Sequence, residues 1–273
     1  MVTTAELVRL LEQRYPVELA ADWDAVGLVC GDPSASVTKV LFAVDPVMEV
    51  VDEALTVQAD FIVTHHPLFL RGVHSVAPVD HKGSVVHTLI SHGIGLYCAH
   101  TNADHANPGV SDALADVLGV IETRPLSPEP DAPQLGTGRV GRLNQPMSLG
   151  DFAERVAAVL PVTNSGVRVA GDLSSEVRTV AVCGGSGDSL LQEAARVADV
   201  YVTSDLRHHR AQDHRADSSC ALVDVPHWAG EWPWLPVAAE ALRRDVAAVG
   251  STVEVHVSRI VTDPWTAHLG SSH

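Results

Sequence analysis

The chain is short of cysteine, of positive charge and of long apolar runs, and each shortage narrows what the protein does. Its four cysteines, Cys30, Cys98, Cys183 and Cys220, lie far apart and form no CxxC pair. Neither a zinc ribbon nor a disulfide framework is therefore suggested, and reduced, mostly buried thiols are expected. Lys and Arg number 18 against 34 Asp and Glu, a formal net charge of −16. That balance disfavours non-specific contact with nucleic acid or an anionic membrane, so any anionic substrate must find a local positive centre. No segment approaches the roughly 18 uninterrupted apolar residues of a membrane span. The opening MVTTAELVRLLEQRYP also lacks a basic stretch followed by an apolar one. A cytoplasmic location with no membrane partner is the expectation.

Histidine is plentiful, with 15 in 273 residues, and imidazole is the commonest metal ligand. The elements that carry these histidines alternate. Thr3 and Glu6 have capping-box spacing before a helix that ends near Pro16. Strand-like runs follow at Lys39–Val44, Phe61–Thr64 and Ile94–Ala99, with Asp45 read as a helix N-cap and helices at Ser84–His92 and Val110–Leu118. The stretch ETRPLSPEPDAPQ is dense in Pro and acid, which predicts a linker over 122–136 between lobes at 1–121 and 137–273. Beyond it, strands at Thr179–Cys183, Val200–Thr203 and Ala221–Val225 alternate with helices at Ser189–Val197 and Leu235–Val249. A last strand spans Val253–Val257. This rhythm predicts an α/β fold with mixed, largely parallel sheets in two lobes. Ala59–Thr64 resembles Ala198–Thr203, a weak internal repeat that supports related lobes.

Polar residues gather where such strands end, which is where open α/β sheets hold their ligands. His65 and His66 follow an apolar strand and precede Pro67. They read equally as ligands to two ions or as a solvated turn. The next strand ends in AHTNADH, offering His100, Asp104 and His105, with Asp104 the first choice as a hard anionic ligand. His100 reads as a residue beside the site and His105 as exposed. PHWAGE sets His227 four residues before Glu231, one face of a helix if the stretch coils, or else a surface histidine and a capping acid. SDLRHHR supplies Asp205, Arg207, His208, His209 and Arg210, either a general acid or base and phosphate-binding cations or a polar helix face. The run from Cys183 to Gly187 is similar to an anion-binding turn but lacks the spacing and Lys of a phosphate loop.

Together these segments resemble the NIF-three-like family of dinuclear-metal proteins, the GTP cyclohydrolase type-two homologues. DWDAVGLVCGD, DFIVTHHPLF, CAHTNADHANPGVSDALADVLG, VCGGSG, YVTSDLRHH, DVPHWAGE and a late TDP occur in family order across nearly the whole chain. HHP, AHTNxD and HxxxE in that order are specific in combination. The resemblance implies two α/β lobes with paired metals in the cleft between them, in a toroidal homohexamer. It carries the metal ligands onto His65, His66, Asp104, His227 and Glu231, with Glu231 bridging, and places His100 and His209 beside them as catalytic candidates. Departures fall at Ser204, Arg210, Pro226 and Gly230, where the family more often has Gly, an acidic residue, Gly and Thr. They bear on the substrate pocket more than on the metals.

The expected function is dinuclear metal-dependent hydrolysis. Two divalent ions per chain, chosen among Zn, Fe, Mn, Co and Ni, would activate a water to open the guanine imidazole ring of GTP. His209 or His100 would shuttle protons, and Gly184–Gly187 with nearby Arg would hold phosphates. Hydrolysis of a phosphoester or peptide bond, or a non-enzymatic metal-binding scaffold, are the alternatives.

Overall fold

The computed structural model describes residues 1–270, which form two compact units: 1–106 with 235–262, and 107–234 with the segment from 263.

The first unit opens with β1 (Val2–Thr3) and α1 (Thr4–Arg14). The Thr3 hydroxyl accepts from the Glu6 N–H while the Glu6 carboxylate accepts from the Thr3 N–H, so the expected capping box is present. Then come β2 (Gly27–Cys30), β3 (Ser36–Val37), β4 (Lys39–Ala43), α2 (Met48–Val57), β5 (Phe61–Thr64), α3 (His81–Ser91), β6 (Gly95–Cys98) and α4 (Thr101–His105). Strands β4, β5 and β6 run parallel and β2 pairs antiparallel with β6. All four residues of β5 are buried, as a central parallel strand covered on both faces requires. Leu41, Ile62, Leu96, Val85 and Leu89 pack together on one face. Asp45 does not cap α2, whose N-cap is Val47; its carboxylate is used elsewhere.

The second unit contains α5 (Val110–Val117), β7 (Val120–Glu129), β8 (Ala132–Ser148), α6 (Leu149–Val159), β9 (Arg168–Ala170), β10 (Glu176–Ser186), α7 (Leu191–Val197), β11 (Val200–Ser204), α8 (His208–Asp217), β12 (Ala221–Asp224) and α9 (His227–Glu231). Its six-stranded sheet has the order β7-β8-β10-β11-β12-β9. Only β10, β11 and β12 are mutually parallel, while β7, β8 and β9 add antiparallel pairings.

The chain then returns to the first unit with α10 (Trp234–Ala248) and β13 (Glu254–Val257), which pairs parallel with β4. This corrects the expected lobe boundaries, because the last helix and strand complete the sheet of the first unit. The expected linker over 122–136 is also replaced, by the β7–β8 hairpin. Pro125 and Pro128 lie on β7, an edge strand, where a residue without an N–H forfeits no ladder bond on the open side. Composition signalled a loop where topology permits a strand.

The internal repeat has a structural counterpart within each unit. Asp60 accepts from the backbone of Thr38 and Lys39 at the start of β4, and Asp199 accepts from the backbone of Arg178 and Thr179 in β10. Both acids precede the strand that leads to the polar cluster of their unit.

Candidate metal centre

In the first unit β5 ends at Thr64, and the N–H groups of His65 and His66 still donate to Ala43 O and Val44 O at 3.2 and 2.9 Å. Pro67 then stops the ladder. The two rings stand 5.1 Å apart between centroids. Strand β6, next in the sheet, ends one residue before Ala99 and delivers His100, whose ring lies 5.2 Å from His65 and 5.6 Å from His66. One ring nitrogen from each of the three lies within 4.8 Å of the others. Burial, and after it the nearby His65, push the pKa of His100 down to about 4 despite its bond to Asp24. The ring is therefore neutral near pH 7 and has a lone pair to offer. Asp104, on the first turn of α4, presents Oδ1 at 3.9 Å from His65 Nε2.

In the second unit Pro226 precedes α9, and the helix sets His227 and Glu231 on one face as the spacing predicted. His227 Nε2 is 2.9 Å from Glu231 Oε1, and Glu231 is 3% exposed. Gly185 makes room for this pair. Its φ of +69° is a left-handed conformation, and a Cβ there would lie 2.2 Å from Glu231 Oε1 and 3.1 Å from His227 Nε2.

All four imidazoles are held at Nδ1. His65 Nδ1 bonds Ala99 O at 2.9 Å, His66 Nδ1 bonds Asp45 at 2.7 Å, His100 Nδ1 bonds Asp24 at 2.9 Å, and His227 Nδ1 bonds Asp205 at 2.7 Å. A carbonyl or carboxylate only accepts, so in a neutral His65, His66 or His100 the proton sits on Nδ1 and the lone pair on Nε2, whereas His227 lies between two carboxylates, Asp205 at Nδ1 and Glu231 at Nε2. That is how metal-binding histidines are oriented by the groups behind them. The supports are themselves anchored. Asp24 is buried, which raises its pKa, but hydrogen bonds from Thr101 and His100 outweigh burial and hold the carboxyl below its ordinary range. Asp45 also accepts from the Thr262 hydroxyl.

The donor chemistry fits divalent ions of intermediate softness. Imidazole and carboxylate are present, and the Cys98 thiol donates to His65 O while burial pushes its pKa up, so it is a protonated neighbour and not a thiolate ligand. His227 has a carboxylate at each ring nitrogen, and a neutral imidazole has one N–H for the two, so a cation or a second proton must be shared there. A metal ion satisfies both groups.

The other sequence candidates have neighbours of their own. His105 bonds back to Thr101 O within its own helix. His209 is exposed at the start of α8, its ring 5.1 Å from His208. Arg207 and Arg210 both reach Asp188, and Gly185 backs the His227–Glu231 pair. The segment expected to cradle phosphate is thus engaged in its own structure. Asp24, Asp45 and Asp205 were not assigned their supporting roles from sequence. Their only signal was position, since each lies at a strand end or in a quoted motif, and an acid there reads equally as a cap.

The sequence profile of the Duf34/NIF3 (NGG1p interacting factor 3) family matches residues 2–264. A Streptomyces coelicolor protein named GTP cyclohydrolase 1 type 2 homolog is 51% identical over 275 residues, covering 100% of this chain and 96% of the relative. A Mycobacterium tuberculosis protein of the same name is 37% identical, with 97% of each covered. Among solved structures, a Bacillus cereus protein related to NIF3 matches with a TM-score of 0.90 at 27% identity, over 97% of this chain and 98% of that one. The chain belongs to the Duf34/NIF3 (NGG1p interacting factor 3) family.

Proposed function

We propose that this protein is a metal-dependent hydrolase in which His65, His66, Asp104, His227 and Glu231 would hold two divalent ions. The observation that carries this reading is the common fixation of Nδ1 in His65, His66, His100 and His227. Three of these rings are backed at Nδ1 by a carboxylate from a distant segment, which is how supporting groups orient metal-binding imidazoles. When bound, the ions would lower the pKa of a water and stabilise the oxyanion formed by its attack. His100, kept neutral and oriented by Asp24, would accept a proton and return it to the leaving group.

The relatives' name makes GTP the first substrate to test, with hydrolysis at C8 of the guanine opening the imidazole ring and releasing formate. Metal-loaded protein incubated with GTP should yield formate and a fluorescent pterin, and a His65→Ala, Glu231→Ala double variant should yield neither. Absence of product from the wild type, or equal product from the variant, ends the GTP reading.

Hydrolysis of a phosphoester or peptide bond by the same residues is the second reading. It is favoured by one observation: Arg207 and Arg210 are held by Asp188, which takes away the guanidinium groups expected to grip a triphosphate. Turnover of a generic phosphoester or peptide with Mn, Fe, Zn or Mg, without GTP turnover, would establish it. Tight metal binding with no turnover of any substrate would make the protein a metal-binding scaffold. The family resemblance makes a homohexamer the expected assembly, and a solution mass near six times 28.9 kDa tests it.

A further inference from the structure

We infer that the second unit carries a further binding site, separate from the His227–Glu231 pair, for a small organic carboxylate with an apolar body. The site is a cavity beneath α8. Helix α8 has the sequence HHRAQDHRAD, and its one buried residue is His214. With no large apolar side chain, it cannot fill the space between itself and the sheet. What remains is a cavity of about 400 Å³, within the roughly 300–1,000 Å³ of small-molecule sites.

Its lining divides by chemistry. Ala170 from β9, Leu222 from β12, Leu206 and Ala211 supply apolar wall. His208, Ala211, Gln212 and Arg215 are spaced i, i+3, i+4 and i+7, so one face of α8 brings two basic side chains over that wall. Arg168 adds a third from β9. The one carboxylate in the lining, Asp224, is already engaged: Oδ2 accepts from Arg168 and Oδ1 from the Leu206 N–H at 3.0 Å. Arg215 is fixed and still has donors to give. Its Nη1 donates to Ser218 O, Ser219 O and Cys220 O at 3.3, 3.1 and 2.8 Å, which pins the guanidinium. Its Nε and Nη2 make no hydrogen bond, and it has no ion pair among the described residues. A pinned, half-buried guanidinium above an apolar wall is complementary to a carboxylate, which it can grip through two parallel N–H bonds, carried on an acyl chain or aromatic ring. In a chain of net charge −16, this pocket is locally positive.

The test is calorimetric titration of the intact protein with decanoate and with 1-naphthoate, each beside its neutral counterpart, decanol and 1-naphthamide. The two carboxylates separate an acyl from an aryl preference. The expected result is saturable 1:1 binding of at least one carboxylate, at least tenfold tighter than its neutral counterpart. Arg215→Gln should weaken it by roughly tenfold or more, the scale of a charge-assisted hydrogen bond. Ala211→Trp, which fills the cavity from α8, should abolish binding while metal content stays unchanged. Because Arg215 also ties down the end of α8, ligand-induced NMR shifts provide an independent measure and should fall on Leu206, Ala211 and Leu222. No saturable binding overturns the inference. So does wild-type affinity in a folded Arg215→Gln or Ala211→Trp protein, or shifts confined to the metal-ligand residues.

Discussion

His66 Nδ1 lies 2.7 Å from Asp45 Oδ1, and Asp45 thereby serves the imidazole instead of capping the helix that follows it. The same arrangement recurs at His100 with Asp24 and at His227 with Asp205. Three carboxylates thus stand behind the Nδ1 atoms of three imidazoles.

Removing one of these supports should therefore weaken metal binding without unfolding the protein. Asp45→Asn keeps the side-chain shape but removes the negative charge behind His66. Loss of such a support typically costs 10–100-fold in metal affinity. Competition titration with a metallochromic chelator should show about that loss, with little change in thermal midpoint.

Gly185 is needed for two reasons that a pair of variants separates. In Gly185→Ala the new methyl would meet both a left-handed backbone and the Glu231 carboxylate at 2.2 Å. In Gly250→Ala, at φ +79° with nothing within 4 Å, only the backbone strain applies. Both should lose about 1–2 kcal/mol of stability from strain. Only Gly185→Ala should also lose bound metal, which elemental analysis of the folded variants will read.

Arg139 is buried, and its guanidinium donates to Asp112 through Nε and Nη2 and to Gly136 O and Gly138 O through Nη1. Replacing it leaves the largely buried Asp112 carboxylate with the Gly109 N–H but no cation, and removes a donor from two carbonyls. Arg139→Met should destabilise the chain by roughly 3–5 kcal/mol, measured by chemical denaturation.

Burial pushes the thiol of Cys30 up to about 11 and that of Cys220 up to about 12, from an ordinary 9.0. When the folded value is the higher one, the unfolded chain ionises first as pH rises. These thiols thus contribute stability that is whole below about pH 9 and falls away toward about pH 11–12. The denaturation midpoint should drop across that window, and Cys30→Ser, Cys220→Ser should flatten the drop. At pH 8 a thiol reagent should label the folded protein slowly and the denatured protein at all four cysteines.

The sequence was most readable where chemistry is local. Thr3 and Glu6 form their capping box, and His227 with Glu231 share a helical face, because both depend only on spacing along one turn. Strand ends carrying His65, His66 and His100 were readable because apolar runs stop abruptly there. What escaped depends on pairing between distant segments. The return of β13 to β4 leaves no mark on either strand alone, and the Pro-rich hairpin of β7 and β8 is possible only because β7 sits at an edge. Asp45 was misread as a cap because cap and ligand support look identical until the partner 21 residues away is in place.

The central claim is that His65, His66, Asp104, His227 and Glu231 hold two ions. The most direct measurement is metal stoichiometry by elemental analysis and calorimetry on the wild type, His65→Ala and Glu231→Ala. The account predicts two tightly held divalent ions per chain in the wild type and reduced occupancy in each variant. Fewer than one ion per chain in the wild type after saturation, or unchanged occupancy in both variants, would contradict it.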